Sequence, residues 1–377
     1  MGSSAPSRRG ERSRGRGWLV LVVVLIALVA ASTVPIWRPG RAHDVPAASP
    51  DRLPVGLNLG RQLVGAPAAQ VDAAMEDVRR MGADWVRVDF AWTDLEPRRG
   101  HFDWATTDRI VAAAAARDVH VLALLTYTPA WAREPGCTRF ACPPASTSAF
   151  AAFATAVVAR YAPRGVTSYQ LWNEPNIDLF WPGPDPGAYG ALLDAAVPAM
   201  RAANPHLRIL FGGLAYTTSQ GDGIAPATFF RRACAGHDCD LDAVGYDPYT
   251  YPEVPSAADV TTPWSLMSPG GALRGSVDQV LGEDAPIWVT EFGAPVQLPG
   301  ERGGRAVSEQ QQARIIGAGV TLAQHDPLIG GLFLNAWRDD EHATSATGRF
   351  GLWHADGGAR PAVAELARLL AQPSSDR

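Results

Sequence analysis

Hydrophobic positions along the chain fall into two alternating kinds of run. Short apolar runs rich in β-branched and aromatic residues stand at 55–59, 85–90, 120–127, 168–174, 208–214, 243–249, 287–292 and 331–337. Between and after them lie longer, Ala-rich stretches with helical spacing at 67–81, 104–117, 146–161, 186–203, 228–235, 257–281, 308–323 and 361–370. The short runs fit strands buried on both faces, and the longer stretches fit the helices that cover them. Strict alternation of the two is the signature of parallel strands joined by crossover helices. Eight of each predict an α/β chain folded as a (β/α)8 TIM barrel. A doubly wound open sheet is the competing layout, but Gly56 and Gly60 flank Asn58 without the spacing of a dinucleotide-binding loop. Asp185 ahead of Pro186 is expected to cap the fourth helix, and Ser308 with Gln311 to form a capping box on the seventh. Pro263 and Pro269 interrupt the sixth helical stretch.

The amino end departs from this alternation. Arg8, Arg9, Arg12, Arg14 and Arg16 precede an unbroken apolar run beginning at Trp18, a pattern that keeps the amino end in the cytoplasm and sends the rest across the membrane. At about 1.5 Å per residue, 18–37 is long enough for a bilayer core of about 30 Å. The expected organisation is a basic cytoplasmic tail at 1–17, a transmembrane anchor or signal segment at 18–37, a Pro-, Ala- and Ser-rich flexible linker at 38–54, and the barrel at 55–377. The small residues Ala30-Ala31-Ser32 also suit signal peptidase, so an extracytoplasmic barrel is either tethered by one helix or secreted. Cysteine usage agrees with export: Cys137 with Cys142 and Cys234 with Cys239 form two local pairs suited to disulfides. Zinc is the alternative for such spacing, but no His closely flanks the first pair. The net charge of −5 includes the arginine-rich tail, so the barrel itself is more acidic still, which argues against nucleic acid as partner.

In a barrel of this kind, functional groups gather at the carboxyl ends of the strands, which open into the βα loops. Those ends supply Asp89, Tyr127, Asn173 with Glu174, Asp247 with Tyr249, Glu291 and Trp337. Two carboxylates stand out: Glu174 closes the run Leu171-Trp172-Asn173-Glu174-Pro175-Asn176, and Glu291 closes Ile287-Trp288-Val289-Thr290-Glu291-Phe292-Gly293. At these residues the chain resembles the clan of retaining glycoside hydrolases whose acid/base and nucleophile glutamates end strands four and seven of a (β/α)8 barrel. Within the clan it is most similar to glycoside hydrolase family 39 and next to the cellulase-like family 5. The resemblance runs from about residue 55 to the end and includes Phe350-Gly351-Leu352, Asp356-Gly357 and Arg360-Pro361-Ala362 before the last helix. It implies a glycoside hydrolase catalytic domain with Glu174 as acid/base and Glu291 as nucleophile. Asn173 would bind the sugar 2-hydroxyl, Arg87 and Tyr249 would bond the nucleophile, and Trp337 would floor the subsite of the cleaved sugar. One position departs from the pattern: where many members carry His two residues before the strand-six Tyr, this chain has Asp247.

The same residues make chemical sense without the family. Glycosidic cleavage needs one carboxyl to protonate the leaving oxygen and another on the opposite face of the sugar, and ends of strands four and seven allow the separation of about 5–5.5 Å that gives retention. An arginine pointing inward from strand two would favour an ionised neighbour. Asp89 and Tyr127 are further candidates for the cleft wall. Each has a structural alternative: Arg87 as a buried ion-pair partner, Asn173 and Asp89 as loop caps, Glu291 as a satisfied barrel carboxylate. The expected activity is hydrolysis of O-glycosidic bonds of a polysaccharide or oligosaccharide by double displacement, in a monomer that needs no cofactor and no metal. The competing reading is a cell-surface barrel that holds carbohydrate without cutting it. A metal-dependent barrel hydrolase is disfavoured by strand ends without a His-rich ligand set.

Overall fold

The computed structural model describes residues 52–372 apart from 219, 220, 222 and 298–303. The tail, the anchor or signal segment and nearly all of the linker expected at the amino end lie outside these residues. Among the described residues no helix is long and apolar enough to cross a membrane.

Eight strands, β1 (Val55–Gly60), β2 (Trp85–Ala91), β3 (His120–Thr126), β4 (Ser168–Asn173), β5 (Arg208–Ala215), β6 (Ala243–Asp247), β7 (Ile287–Phe292) and β8 (Ile329–Asn335), form a closed barrel in sequence order. Every neighbouring pair is parallel, including the closing pair of β1 with β8. One long helix follows each strand, with a four-residue helix, Trp92–Leu95, added directly after β2: the long ones are α1 (Ala68–Arg80), α2 (Ala105–Ala115), α3 (Thr147–Tyr161), α4 (Pro186–Ala203), α5 (Pro226–Cys234), α6 (Ala272–Leu281), α7 (Glu309–His325) and α8 (Pro361–Leu370). Their inward stripes and the outward faces of the strands make one continuous apolar core. A second, separate cluster fills the barrel floor with one residue from each of six strands: Trp85, Leu122, Leu210, Ala243, Trp288 and Phe333. Its rings meet edge-on or stacked, with Trp85 and Trp288 5.6 Å and Trp288 and Phe333 6.0 Å apart.

Three local expectations are corrected. The sixth helical stretch is shorter than expected: Pro263–Leu266 makes only a 3-10 turn, and α6 begins at Ala272, after Gly271. Gly271 lies so close to Ser265 that a Cβ would sit 2.2 Å from its carbonyl oxygen, and Pro269 removes an amide needed to continue a helix. The capping box on α7 is half made. Ser308 Oγ accepts from the Gln311 amide at 3.2 Å, but the Gln311 side chain donates to the Pro252 carbonyl instead of returning to the cap. The last strand runs Ile329–Asn335, two residues earlier than expected. Ile329 and Gly330, which lay ahead of the expected strand, belong to it, and Gly330 and Gly331 pack on Trp288; a Cβ would come within 2.2 Å of its indole nitrogen at the first and 2.7 Å of its ring at the second. The cap on α4 is as expected, with Asp185 Oδ1 accepting from Gly187 and Ala188 at 2.9 and 3.0 Å. Both expected disulfides are present, Cys137–Cys142 and Cys234–Cys239.

Candidate active site

Alternate residues of each strand point into the barrel, so the side chains two positions beyond the aromatic floor line the next layer. On β2 that residue is Arg87, 1% exposed, and its guanidinium organises the layer. Nε donates to Gln170 Oε1 of β4 at 2.8 Å; Nη1 donates to Asn58 Oδ1 of β1 at 3.0 Å and to Glu291 Oε1 of β7 at 2.7 Å; Nη2 donates to Asn173 Oδ1 of β4 at 2.7 Å. A buried cation is tolerated only when its donors are met and a counter-charge is near, and Arg87 has both. Burial works to lower its pKa, but Glu291, Asp247 and Asp89 outweigh that and raise it. The second oxygen of Glu291 accepts from the Tyr249 hydroxyl at 2.9 Å, and Asn335 Nδ2 of β8 donates to that same hydroxyl oxygen at 2.7 Å. Asn335 Oδ1 in turn accepts from Asn58 Nδ2 at 3.3 Å. Both oxygens of Glu291 are thus aimed by fixed donors. Burial, then the charges of Glu291, Asp247 and Glu174, hold the Tyr249 phenol well above its ordinary pKa, so it serves as a neutral donor.

Glu174 follows β4 in a strained stretch: Trp172 and Glu174 both have positive φ, 72° and 41°, where a side chain is disfavoured. Neighbouring bonds hold that shape. The Glu174 amide donates to the Gly213 carbonyl at 2.8 Å, and Trp172 Nε1 donates to the Phe180 carbonyl at 2.8 Å. Asn176 clasps β5, accepting from the Ala215 amide and donating to the Ala215 carbonyl, both at 2.8 Å. Burial, followed by the charges of Asp247 and Glu291, pushes the Glu174 carboxyl well above the usual range, with Arg87 opposing. Glu291 therefore meets a cation and a hydroxyl donor, whereas Glu174 meets burial and like charges.

Of the residues expected at the strand ends, Arg87, Asn173, Tyr249 and Glu291 lie in one hydrogen-bonded network. Tyr127 follows β3, buried, with its ring 6.5 Å from that of Trp172, and burial followed by Asp89 and Glu291 raises its pKa. Asp89 is half-buried near the end of β2, and burial pushes it up to about 6 against the pull of Arg87. Trp337 is a correction. With β8 ending at Asn335, Trp337 is carried past the mouth into the core, where it is 1% exposed and donates from Nε1 to Asp77 Oδ2 of α1 at 2.9 Å. Arg338 covers its ring at 4.2 Å, so it cannot floor a sugar subsite. Asn335 stands at the strand end in its place, lining a cavity of about 230 Å³ with Asn58, Gln62, Arg338, Asp340 and Phe350. Asn58, Gln170 and Asn335 were missed by sequence reading. The available signal was a lone polar residue interrupting an apolar strand on its inward face. Among the described residues no group of three or more His, Cys, Asp and Glu is arranged to hold a metal ion.

Residues 54–317 match the family model described as Cellulase (glycosyl hydrolase family 5). No curated protein matches the sequence. Among solved structures, the chain is similar to a family 39 glycoside hydrolase from Bacteroides cellulosilyticus at 20% identity and a TM-score of 0.67, covering 86% of this chain and 65% of that one. It is similar to a monomeric beta-xylosidase from Caulobacter crescentus at 19% identity and a TM-score of 0.63, over 86% of this chain and 70% of that one. GH5_18 from Streptomyces cattleya, solved in complex with GlcNAc, aligns at 17% identity and a TM-score of 0.64, over 87% and 83% of the two chains. At such identities the likeness is one of fold, and the chain spans about two thirds of the length of the first of these. The family model runs from the start of β1 into α7 and takes in Asn58, Arg87, Gln170, Asn173, Glu174, Tyr249 and Glu291. On that match the chain belongs to the Cellulase family, glycosyl hydrolase family 5.

Proposed function

We propose that the protein is a retaining glycoside hydrolase that cleaves O-glycosidic bonds of a polysaccharide or oligosaccharide by double displacement. The observation that carries this reading is the contrast between the two glutamates: Glu291 held by Arg87 at 2.7 Å and by Tyr249 at 2.9 Å, and Glu174 pushed towards its protonated form by burial and like charges. Glu174 gives its proton to the leaving oxygen as an oxygen of Glu291 bonds to the anomeric carbon and the glycosidic bond breaks. Water then loses a proton to the Glu174 carboxylate, its oxygen takes the anomeric carbon, and Glu291 leaves. Asn173, fixed by Arg87, is suited to a hydroxyl next to the reacting carbon. Tyr127 and Asp89 would contribute to the wall of the cleft. The beta-xylosidase among the similar structures makes β-linked glycans the first substrates to screen. The two disulfides support an extracytoplasmic enzyme working on external glycan. A single amino-terminal helix would tether it unless cleaved.

The test is a panel of aryl glycosides and β-glycans with full-length protein, followed by proton NMR of the first-formed product. Retention of the anomeric configuration is expected. Glu291→Ala should abolish turnover, and Glu174→Ala should slow substrates with poor leaving groups by roughly 10²–10⁴-fold while sparing activated aryl glycosides. An inverted first product, or a Glu291→Ala variant with near-normal activity, overturns the reading.

A further inference from the structure

Asn58 of β1 and Asn335 of β8 meet across the closing pair of strands, and the double displacement just described gives neither of them a task. Both belong to a closed ring of hydrogen bonds that passes through Glu291. Arg87 Nη1 donates to Asn58 Oδ1 at 3.0 Å, and Asn58 Nδ2 donates to Asn335 Oδ1 at 3.3 Å. Asn335 Nδ2 donates to the Tyr249 hydroxyl oxygen at 2.7 Å, and that hydroxyl donates to Glu291 Oε2 at 2.9 Å. The ring closes where it began, because the same Arg87 Nη1 donates to Glu291 Oε1 at 2.7 Å. Four strands, β1, β2, β7 and β8, and the loop after β6 each supply one member.

The sense of every bond in the ring follows from its chemistry. A guanidinium can only donate, and so can a backbone amide. Asn58 Oδ1 receives one of each, from Arg87 and from the Gly60 amide at 3.3 Å, so that oxygen is pinned and the nitrogen of Asn58 is left to face Asn335. Asn335 must then turn its oxygen to Asn58 and its nitrogen to Tyr249. Tyr249 has one hydroxyl proton; with a donor already aimed at its oxygen, it gives that proton to Glu291. An Asn335 turned over would offer Tyr249 an oxygen instead and compete with Glu291 for the proton. We propose that Asn335 is a positioning residue for the nucleophile: held in one sense by Asn58, it sets the direction of the Tyr249 hydroxyl, so that Glu291 is met by that donor before substrate arrives. This rests on the reading of Glu291 as the nucleophile. A donor fixed in advance steadies the carboxylate that attacks, and again the carboxylate that leaves when water takes the sugar, with no turning of the hydroxyl in either step.

Two variants of full-length protein separate direction from packing. Asn335→Asp keeps the size of the side chain and puts an acceptor where Nδ2 donates; it draws the Tyr249 proton away from Glu291 and should lower kcat/KM about ten- to hundredfold, the range of a lost hydrogen bond to a charged group. Asn335→Ala leaves the hydroxyl undirected but not misdirected, and should lose less, about three- to tenfold. An Asn335 that merely fills space gives the opposite order, since Asp keeps its shape and Ala leaves a hole, and that order overturns the proposal. In a Tyr249→Phe background no hydroxyl is left to direct, and the gap between the two variants should shrink by about threefold or more. An unchanged gap means that the new aspartate acts by its charge alone, which also overturns the proposal. A second measurement needs neither variant nor turnover: neutron diffraction from deuterated protein. The Tyr249 deuteron should lie towards Glu291 Oε2, with the amide deuterons of Asn335 on the side of Tyr249; a Tyr249 deuteron pointing at Asn335 refutes the assigned direction. Failure of the glycosidase reading looks different, as absence of cleavage by wild type or indifference to Glu291→Ala.

Discussion

Arg87 illustrates how one residue converts apolar strands into a chemical site. Four of its hydrogen bonds join β1, β4 and β7 to β2, so the guanidinium is at once the support of the barrel's polar layer and the partner of Glu291. Removing it would strand an acceptor on each of four side chains, and stability and activity would fall together. Asp89 separates the two more cleanly. Its folded pKa is about 6 against an ordinary 3.8, because burial disfavours the charged form. The folded state therefore binds the proton more tightly than the unfolded one, and stability is lost as pH rises through the interval from about 4 to about 6. Asp89→Asn lacks that titration. Urea unfolding at a series of pH values should give a variant that matches wild type below pH 4 and is the more stable of the two above pH 6, the gap opening between them. A constant gap would mean that Asp89 titrates normally in the folded protein. The residue-scale pattern was legible where chemistry marks a position, as at Glu174, Glu291, Arg87 and Tyr249. It was not legible at Asn58, Gln170 and Asn335, because a polar residue in an apolar run shows its purpose only when the partner it meets from another strand is known.

At the scale of elements, the decisive event is the register of β8. Gly330 and Gly331 belong to the strand because the Trp288 ring occupies the space that side chains would need. The strand therefore ends two residues early, Asn335 reaches the mouth, and Trp337 turns into the core to bond Asp77. Trp337→Phe should accordingly behave as a core variant: thermal or urea unfolding should show a loss of about 1–3 kcal/mol, the scale of a hydrogen bond to a buried carboxylate, while kcat and KM stay near wild type. A large rise in KM with unchanged stability would return Trp337 to the sugar site. The neighbouring elements show the same dependence on context. Asp185 caps α4 as its sequence implies, since a cap needs only local amides. Gln311 does not make the reciprocal bond of its box: its Oε1 accepts from Arg314 Nε and its Nε2 donates to the Pro252 carbonyl, from the loop after β6.

At the scale of the whole molecule, the closed sheet leaves no free edge, and the loops that join strands and helices lie at its two ends. Two connections are closed by local disulfides, one in the βα loop after β3 and one in the αβ connection between α5 and β6. Mass spectrometry of a non-reduced digest of exported protein should recover Cys137 with Cys142 and Cys234 with Cys239, and four free thiols would place the domain in a reducing compartment. Because both loops are short, reduction should cost only about 2 kcal/mol each and leave the barrel folded. The sequence by itself determined the number and order of strands and helices, the pairing of neighbouring cysteines and the two glutamates at facing strand ends. All of these are written in local periodicity, spacing or residue type. Tertiary structure alone decided the register of β8, the burial of Trp337 and the polar ring around Arg87. Each of these depends on whether a side chain from a distant strand fills or vacates a particular volume, and that information is carried by no single segment of the chain.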